Sequence, residues 1–239
     1  MKPAAQASSA LPRMQSLLEQ WEPLADRRAI FLACYWRMTR NMLASLDRGV
    51  FNDPAWVNDL LEHFAGYYFN ALDAYNGNPL ASPAIWQQTF SAAADPRTRS
   101  LQHLMLGVNA HINYDLVLAL IDVLEPEWAT LDQSCRLQRY ADHCHINQII
   151  AHTIDEVQDE VLERYSPAME LVDRLFGRLD ELLIARLISG WRDQVWRQVM
   201  QWVEAPSPEQ RGSLLQQVEN ACVQRGQLIQ LNWRSFRQG

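Results

Sequence analysis

The stretch that decides the fold is LQHLMLGVNAHINYDLVLALIDVL, residues 101–124. Written on a helix of about 3.6 residues per turn, it is apolar on every side, a pattern typical of a helix enclosed by other helices. From Ser100 to Ile121 the one formal charge is Asp115. A carboxylate inside a protein is costly unless it is paired or hydrogen-bonded. The segment therefore predicts a buried central helix that carries a polar site.

The spacing of His111 and Asp115 places them together on this helix. They are four residues apart, so both side chains project from one face, one turn from each other. Gly107 lies a turn earlier on nearly the same face. A glycine inside a helix costs about 1 kcal/mol relative to alanine, and close packing or space for a ligand would explain it. Asn109 and Asn113 project from the opposite side, where we expect them to bond to another element.

The His111–Asp115 pair has three interpretations. It can bind a divalent metal ion, since both side chains are metal ligands. It can be an acid/base pair, in which Asp115 orients the imidazole and raises its basicity. It can also be a structural contact that fixes the packing of the helix. His103 is a further candidate metal ligand, although it lies about 12 Å before His111 along the axis, which is too far for one ion on a straight helix.

A second group of residues is suited to binding a substrate. Arg192 lies one turn before Trp196 on an otherwise apolar helix. It can be the counter-ion of Asp115 or the anchor of a substrate carboxylate or phosphate. The alternative is an ordinary surface arginine packed over the indole. Tyrosines can donate phenol hydrogen bonds to a pocket, although most are core residues with one satisfied hydroxyl. The candidate substrate-binding residues are Tyr35, Tyr68, Asn109, Asn147 and Arg192.

The composition limits the class of protein. A net charge of −7 and the lack of any Lys/Arg-rich block argue against a general nucleic-acid binder. The four cysteines form no CxxC motif, and the N-terminus lacks the apolar region of a signal peptide. The central segment carries two His, two Asn and two Asp, which makes it a poor membrane span. We expect a cytoplasmic protein with no membrane span and no nucleic-acid partner.

The order of periodic segments and breaks predicts an all-α fold. Apolar residues recur at helical spacing between proline and glycine breaks, and no strand alternation or internal repeat is present. Residues 1–10 are small and polar, which indicates a disordered tail. We predict that residues 11–239 form a single domain of seven or eight helices, packed around a buried central helix at about 97–124.

Several segments together resemble an uncharacterised, mostly bacterial family of about this length, catalogued only as a domain of unknown function. Its signature is similar to GVNAHINYDL, of the type GxNAHIxxDL. The likeness extends from about residue 24 to about residue 203. It implies an all-helical fold and a shared site, but no reaction. The segments that carry it are FLACYWRMT at 31–39, FAGYYFNAL at 64–72, the Trp86…Phe90 pair and HLMLGVNAHINYDL at 103–116.

The residues favour an enzyme over a simple structural protein. No GxSxG, P-loop, GxGxxG or HExxH motif is present, which argues against nucleotide-driven and triad chemistries. We expect an enzyme that acts on a small or lipid-like molecule in a buried pocket. His111 is its base or metal ligand, Asp115 is the partner, and Arg192 holds an anion. A divalent metal is the one cofactor that the residues suggest. The alternative is a non-catalytic binding protein for an apolar ligand or a helical partner.

Overall fold

A computed structural model describes residues 10–157 and 178–231, with side chains described at 10–154 and 183–231. Over these ranges the chain forms eight α-helices and no strand, which confirms the predicted all-α domain of seven or eight helices. Apart from Ala10, the predicted N-terminal tail lies outside the described residues. The helices are α1 (Ala10–Trp21), α2 (Arg28–Asp47), α3 (Pro54–Gly77), α4 (Ala84–Ala94), α5 (Ser100–Trp128), α6 (Gln133–Val157), α7 (Arg178–Glu204) and α8 (Pro208–Leu231).

Helix α5 is the central helix that the apolar segment predicted. Its length and mean hydropathy would allow it to cross a membrane, but 78% of its most apolar window is buried inside the fold. It begins at Ser100, a few residues later than predicted. The reason is a preceding turn in which Arg27 donates hydrogen bonds to the carbonyls of Asp95 and Thr98. The helices that pack directly against α5 are α2, α3, α4, α7 and α8.

The ends of the helices around α5 follow from local sequence. Gly49, with a φ of 68°, follows the end of α2 in a conformation that glycine adopts without strain. Asp53 then caps α3, because its carboxylate accepts a hydrogen bond from the Trp56 N–H at 3.0 Å, and Pro54 occupies the first helical position. Helix α8 begins after Ser207, whose hydroxyl accepts from the Gln210 N–H. These residues mark where α2 ends and where α3 and α8 begin.

The middle of α5 departs from α-helical geometry. Residues His111–Asp115 form a single π-helical turn between two α-helical segments. The N–H of Leu116 donates to the carbonyl of His111, five residues earlier. Single π turns inside α-helices occur frequently at functional sites. The irregular turn coincides with the segment that holds the predicted His/Asp pair.

Candidate functional site

His111, Asp115 and Trp86 form a chain of hydrogen bonds inside the fold. The Nδ1 atom of His111 lies 2.9 Å from Oδ2 of Asp115. The indole Nε1–H of Trp86, on α4, donates to both oxygens of Asp115, at 3.0 and 3.1 Å. The side chains of His111 and Asp115 are 4% and 1% exposed. The carboxyl group is therefore buried with a donor at each oxygen, which offsets part of the cost of removing it from water.

The imidazole of His111 is held by aromatic rings. Phe64 of α3 stacks on it, with ring centroids 3.6 Å apart and planes at 11°. Tyr35 of α2 lies across its edge at 4.2 Å, and Phe31 meets it edge-on at 5.7 Å. These contacts fix the ring plane, while the bond to Asp115 fixes its rotation. The orientation of His111 is therefore set by three helices.

Gly107 allows α2 to approach α5 closely. A Cβ atom at this position would lie 2.4 Å from the ring of Phe31, far inside contact distance. Of the two explanations that the sequence left open, close packing is the one observed. Phe31 fills the space beside Gly107 and from there contacts the imidazole of His111. The glycine thus serves the site indirectly, by admitting a ring that orients the histidine.

Burial governs the charge state of the pair. It lowers the pKa of the His111 imidazole well below the ordinary 6.5. It also raises the pKa of the Asp115 carboxyl well above its ordinary value, and donation by Trp86 opposes that increase. Both shifts disfavour the charged forms. A neutral imidazole is the form that a general base or a metal ligand requires.

The second ring nitrogen of His111 is unused. Its Nε2 atom is buried and has no hydrogen-bond partner among the described residues. The same side chain lines a cavity of about 100 Å³ between α2, α3, α5, α6 and α7. The walls are mostly apolar, and the polar side chains among them include Tyr35, Thr39, His111 and Arg192. The apolar lining consists largely of Phe31, Met38, Met42, Leu60, Leu61, Phe64, Val108, Ile112, Leu116, Ile146, Ile150 and Ile188.

Arg192 reaches the same cavity from α7. It is 2% exposed, and its contacts are with α6: Nε donates to Oδ1 of Asn147 at 2.7 Å, and Nη2 donates to the carbonyl of His143 at 2.8 Å. The ring of His143 lies between Arg192 and Trp196. Arg192 is therefore neither a surface residue nor bonded to Asp115, and its hydrogen bonds to α6 hold it in the wall of the cavity.

The remaining predicted residues have other surroundings. Tyr35 lines the cavity, and its hydroxyl bonds to Thr39. Tyr68 packs against the rings around it without lining the cavity. The amide of Asn109 donates to the carbonyl of Cys222 in α8, as expected for the opposite side of α5. Asn147 contacts Arg192 and acts on the cavity through it.

The predicted metal ligands do not converge. Burial lowers the pKa of His103 to about 4, and its ring bonds to the backbone of Thr98 instead of lining the cavity. Over the described part of the chain, no group of three or more His, Cys, Asp or Glu side chains is placed to hold an ion. His111 and Asp115 are only two potential ligands, and they are already bonded to each other through Nδ1 and Oδ2. The geometry therefore suits proton transfer better than metal binding.

Sequence reasoning missed several members of the site. The sequence singles out Trp86 only as part of the Trp86…Phe90 pair and does not predict its bond to Asp115. A buried carboxyl group requires a hydrogen-bond donor. A tryptophan in an apolar helix carries an N–H that can be this donor, so its presence in the sequence is a usable signal. His143, which is fully buried and holds Arg192, gave no signal of this role in the sequence. The stacking of Phe64 on His111 gave none either.

Comparison with models of protein families shows which family the chain belongs to. A model described as a family of unknown function (DUF5995) matches residues 8–232. The chain belongs to the DUF5995 family. The match is longer than the resemblance seen in the sequence, and it covers every residue of the site described above. No curated protein and no solved structure matches the chain.

Proposed function

We propose that this DUF5995 protein is an enzyme that uses His111 and Asp115 for acid/base chemistry on a small, largely apolar molecule. The observation that carries the proposal is the Nε2 atom of His111, a buried nitrogen that has no partner among the described residues and belongs to a side chain lining a cavity. Buried polar atoms in proteins are nearly always hydrogen-bonded. An atom of a bound molecule would be its partner.

The pair can serve in both directions of a proton transfer. When Asp115 is ionised, Nδ1 of His111 donates to it and Nε2 accepts a proton from the substrate. When the carboxyl is protonated, Nδ1 accepts and Nε2 carries the hydrogen, which it can donate. The imidazolium formed in the first case is stabilised by the adjacent carboxylate. Since the pKa shifts of both groups favour neutral forms, the proton shared between them is available for transfer.

The GxNAHIxxDL-type pattern fits this proposal. In this chain Gly107 admits Phe31, Asn109 binds α8, and His111 and Asp115 form the pair. We propose that these positions are the family's signature, that the family is mostly bacterial, and that the protein acts in the cytoplasm. A site built from one π turn and its neighbours would then be shared across the family.

The proposal is tested by following proton transfer directly. The protein is incubated in D2O with a panel of short-chain ketones, esters and carboxylates, and deuterium incorporation and product formation are measured by ¹H NMR. We expect His111→Gln and Asp115→Asn each to lower the rate about 100-fold or more, the usual contribution of a positioned acid/base group. Circular dichroism should show retained helicity.

His103→Gln is the matched control, because it removes another buried histidine from the same helix, outside the cavity. Its rate should equal that of the unchanged protein. If the whole panel is unconverted by the unchanged protein, or if His111→Gln is as active as the control variant, the proposal is wrong.

A non-catalytic binding protein is the second candidate. The mostly apolar wall of the cavity favours it, because such a surface binds hydrocarbon by burial alone, without a chemical step. Native mass spectrometry of the purified protein would reveal a retained molecule. A retained apolar molecule that stays unchanged in the NMR assay would favour binding over catalysis.

A further inference from the structure

We propose that the cavity beside His111 binds a short-chain aliphatic monocarboxylate, with its carboxylate held by Arg192. The inference rests on the proposed function, since it names the class of substrate for the same cavity. It depends on three observations about the cavity: a buried guanidinium with no counter-ion among the described residues, a wall that is otherwise mostly apolar, and a small volume.

Arg192 is a buried cation whose bonds are to neutral groups. Its hydrogen-bond acceptors are the amide oxygen of Asn147 and the carbonyl of His143, and Nη2 also lies 3.3 Å from Nδ1 of His143. None of these carries a negative charge. Burial lowers the pKa of His143 well below its ordinary value, so its ring supplies no second cation that would repel an anion.

Arg192 has no carboxylate partner in the part of the chain that the structure describes. Within the described ranges no Asp or Glu forms an ion pair with it, and none lines the cavity. Asp193, the next residue along α7, interacts with it only at a distance. Burial lowers the pKa of Arg192 to about 10, as expected for a cation removed from water without full compensation. A buried charge of this kind is normally paired, and a bound anion would pair it.

The rest of the cavity selects an aliphatic tail. Methionine and branched aliphatic side chains form most of its wall, and such surfaces bind hydrocarbon through burial from water. The one other ionisable pair nearby, His111–Asp115, is bonded internally and favours neutral forms. The cavity therefore offers one positive charge, which matches a monoanion better than a dianion such as phosphate.

The volume limits the length of the tail. The cavity of about 100 Å³ is smaller than the roughly 150 Å³ apolar cavity that accommodates benzene. Scaled from the six non-hydrogen atoms of benzene, it has room for about four, so that only a short tail fits beside the carboxylate. Propionate and butyrate, with five and six non-hydrogen atoms, are the short carboxylates nearest to this size that carry an aliphatic tail. In such a complex the carboxylate accepts hydrogen bonds from the guanidinium, and the hydrocarbon chain packs against the aliphatic side chains of the wall.

The test compares butyrate with butyramide, which has nearly the same shape and no charge. Isothermal titration calorimetry on the full chain at pH 7 measures both dissociation constants. We expect butyrate to bind about tenfold or more tightly, the usual size of a charge-assisted hydrogen bond. Octanoate should bind more weakly than butyrate because the cavity is too short for it. Equal affinities for butyrate and butyramide would overturn the proposal, as would tighter binding of inorganic phosphate than of butyrate.

Two variants locate the charge. Arg192→Met should abolish the preference for butyrate over butyramide. Arg225→Met, which removes a partly buried arginine outside the cavity, should retain it. Should Arg192→Met fail to fold, Arg192→Lys keeps the charge without the planar fork, and the preference should decrease and not vanish. A full preference in Arg192→Met would assign the charge elsewhere and refute the proposal.

The two proposals fail separately. His111→Gln should bind butyrate with little change, because the carboxylate is held by Arg192. If butyrate binds in an Arg192-dependent way while no panel compound is converted, the enzyme proposal fails and the carboxylate site stands. If neutral compounds are converted in a His111-dependent way and butyrate shows no preference, the carboxylate site fails and the enzyme proposal stands.

Discussion

The groups around Asp115 determine the cost of burying its carboxyl group. Its carboxyl is buried in a helix with no other charge nearby along the chain, and Trp86 and His111 supply the hydrogen bonds. Without the indole, one oxygen would lose its donor and the burial cost of the group would increase. The tryptophan therefore stabilises the fold. Its hydrogen bond also favours the ionised form of Asp115, the form in which His111 can accept a proton from a substrate.

This role predicts a difference between two tryptophans. Trp86→Phe removes the N–H that donates to Asp115, whereas Trp56→Phe removes a buried N–H with no partner among the described residues. Both substitutions lose similar volume. We expect Trp86→Phe to lower the free energy of unfolding by about 1–3 kcal/mol more than Trp56→Phe, the cost of leaving a buried acceptor without its donor. Urea denaturation measures both, and equal losses would show that the indole bond contributes nothing.

Sequence reasoning reached the pair but not its partners. His111 and Asp115 lie in one helix, where a spacing of four residues fixes their relative position. Trp86 and Phe64 are brought to them by packing between helices, and no periodicity within a segment encodes that packing. The same limit explains Arg192. Its burial was an open question in the sequence, because a lone arginine on an apolar helix fits both a surface and a buried position.

At the level of elements, the approach of α2 to α5 depends on one missing side chain. Phe31 occupies the space that a Cβ at Gly107 would need, and the ring is enclosed by Tyr35, Tyr68 and Trp86. A ring packed in this way cannot move aside without displacing its neighbours. The contact between these two helices is therefore sensitive to a single methyl group.

Gly107→Ala and Gly66→Ala should consequently change stability in opposite directions. Alanine is favoured over glycine in a helix by about 1 kcal/mol, and at Gly66 in α3 nothing lies within 4 Å of the added Cβ. We expect Gly66→Ala to stabilise the protein by up to about 1 kcal/mol. At Gly107 overpacking costs about 1–3 kcal/mol, so that variant should be less stable. Thermal unfolding followed by circular dichroism compares them, and a stabilised Gly107→Ala would contradict the packing.

The π turn in α5 could not be predicted from the sequence. Composition and periodicity identify an apolar helix at 101–124, and both are insensitive to one extra residue within a turn. The turn at His111–Asp115 becomes visible only through the bond from Leu116 N–H to the His111 carbonyl. The sequence therefore predicted the element, its burial and its polar residues, while the local irregularity that presents them required the structure.

At the scale of the whole molecule, burial of histidines couples stability to pH. His103 and His111 in α5 and His143 in α6 are each at most 4% exposed, and burial lowers the pKa of all three. Below about pH 6.5 the unfolded chain binds protons at these positions and the folded chain does not, so stability decreases as pH falls. Asp115 acts in the opposite direction, since its raised pKa makes the folded form bind a proton more readily.

His103 permits this coupling to be measured, because the pKa of its ring is lowered from 6.5 to about 4 and it lies outside the cavity. Its contribution is fully present above pH 6.5, is reduced by about 2 kcal/mol at pH 5, and is lost in full, about 3 kcal/mol, once pH falls below 4. His103→Gln removes the titrating group and keeps a side chain that can donate to the backbone of Thr98. Its stability should therefore decrease less between pH 7.5 and pH 5 than that of the unchanged protein, by about 2 kcal/mol. Urea denaturation at several pH values gives both curves. The comparison at pH 7.5, where the ring is neutral in both states, corrects for any packing change. Parallel curves would show that His103 is not buried in the neutral form.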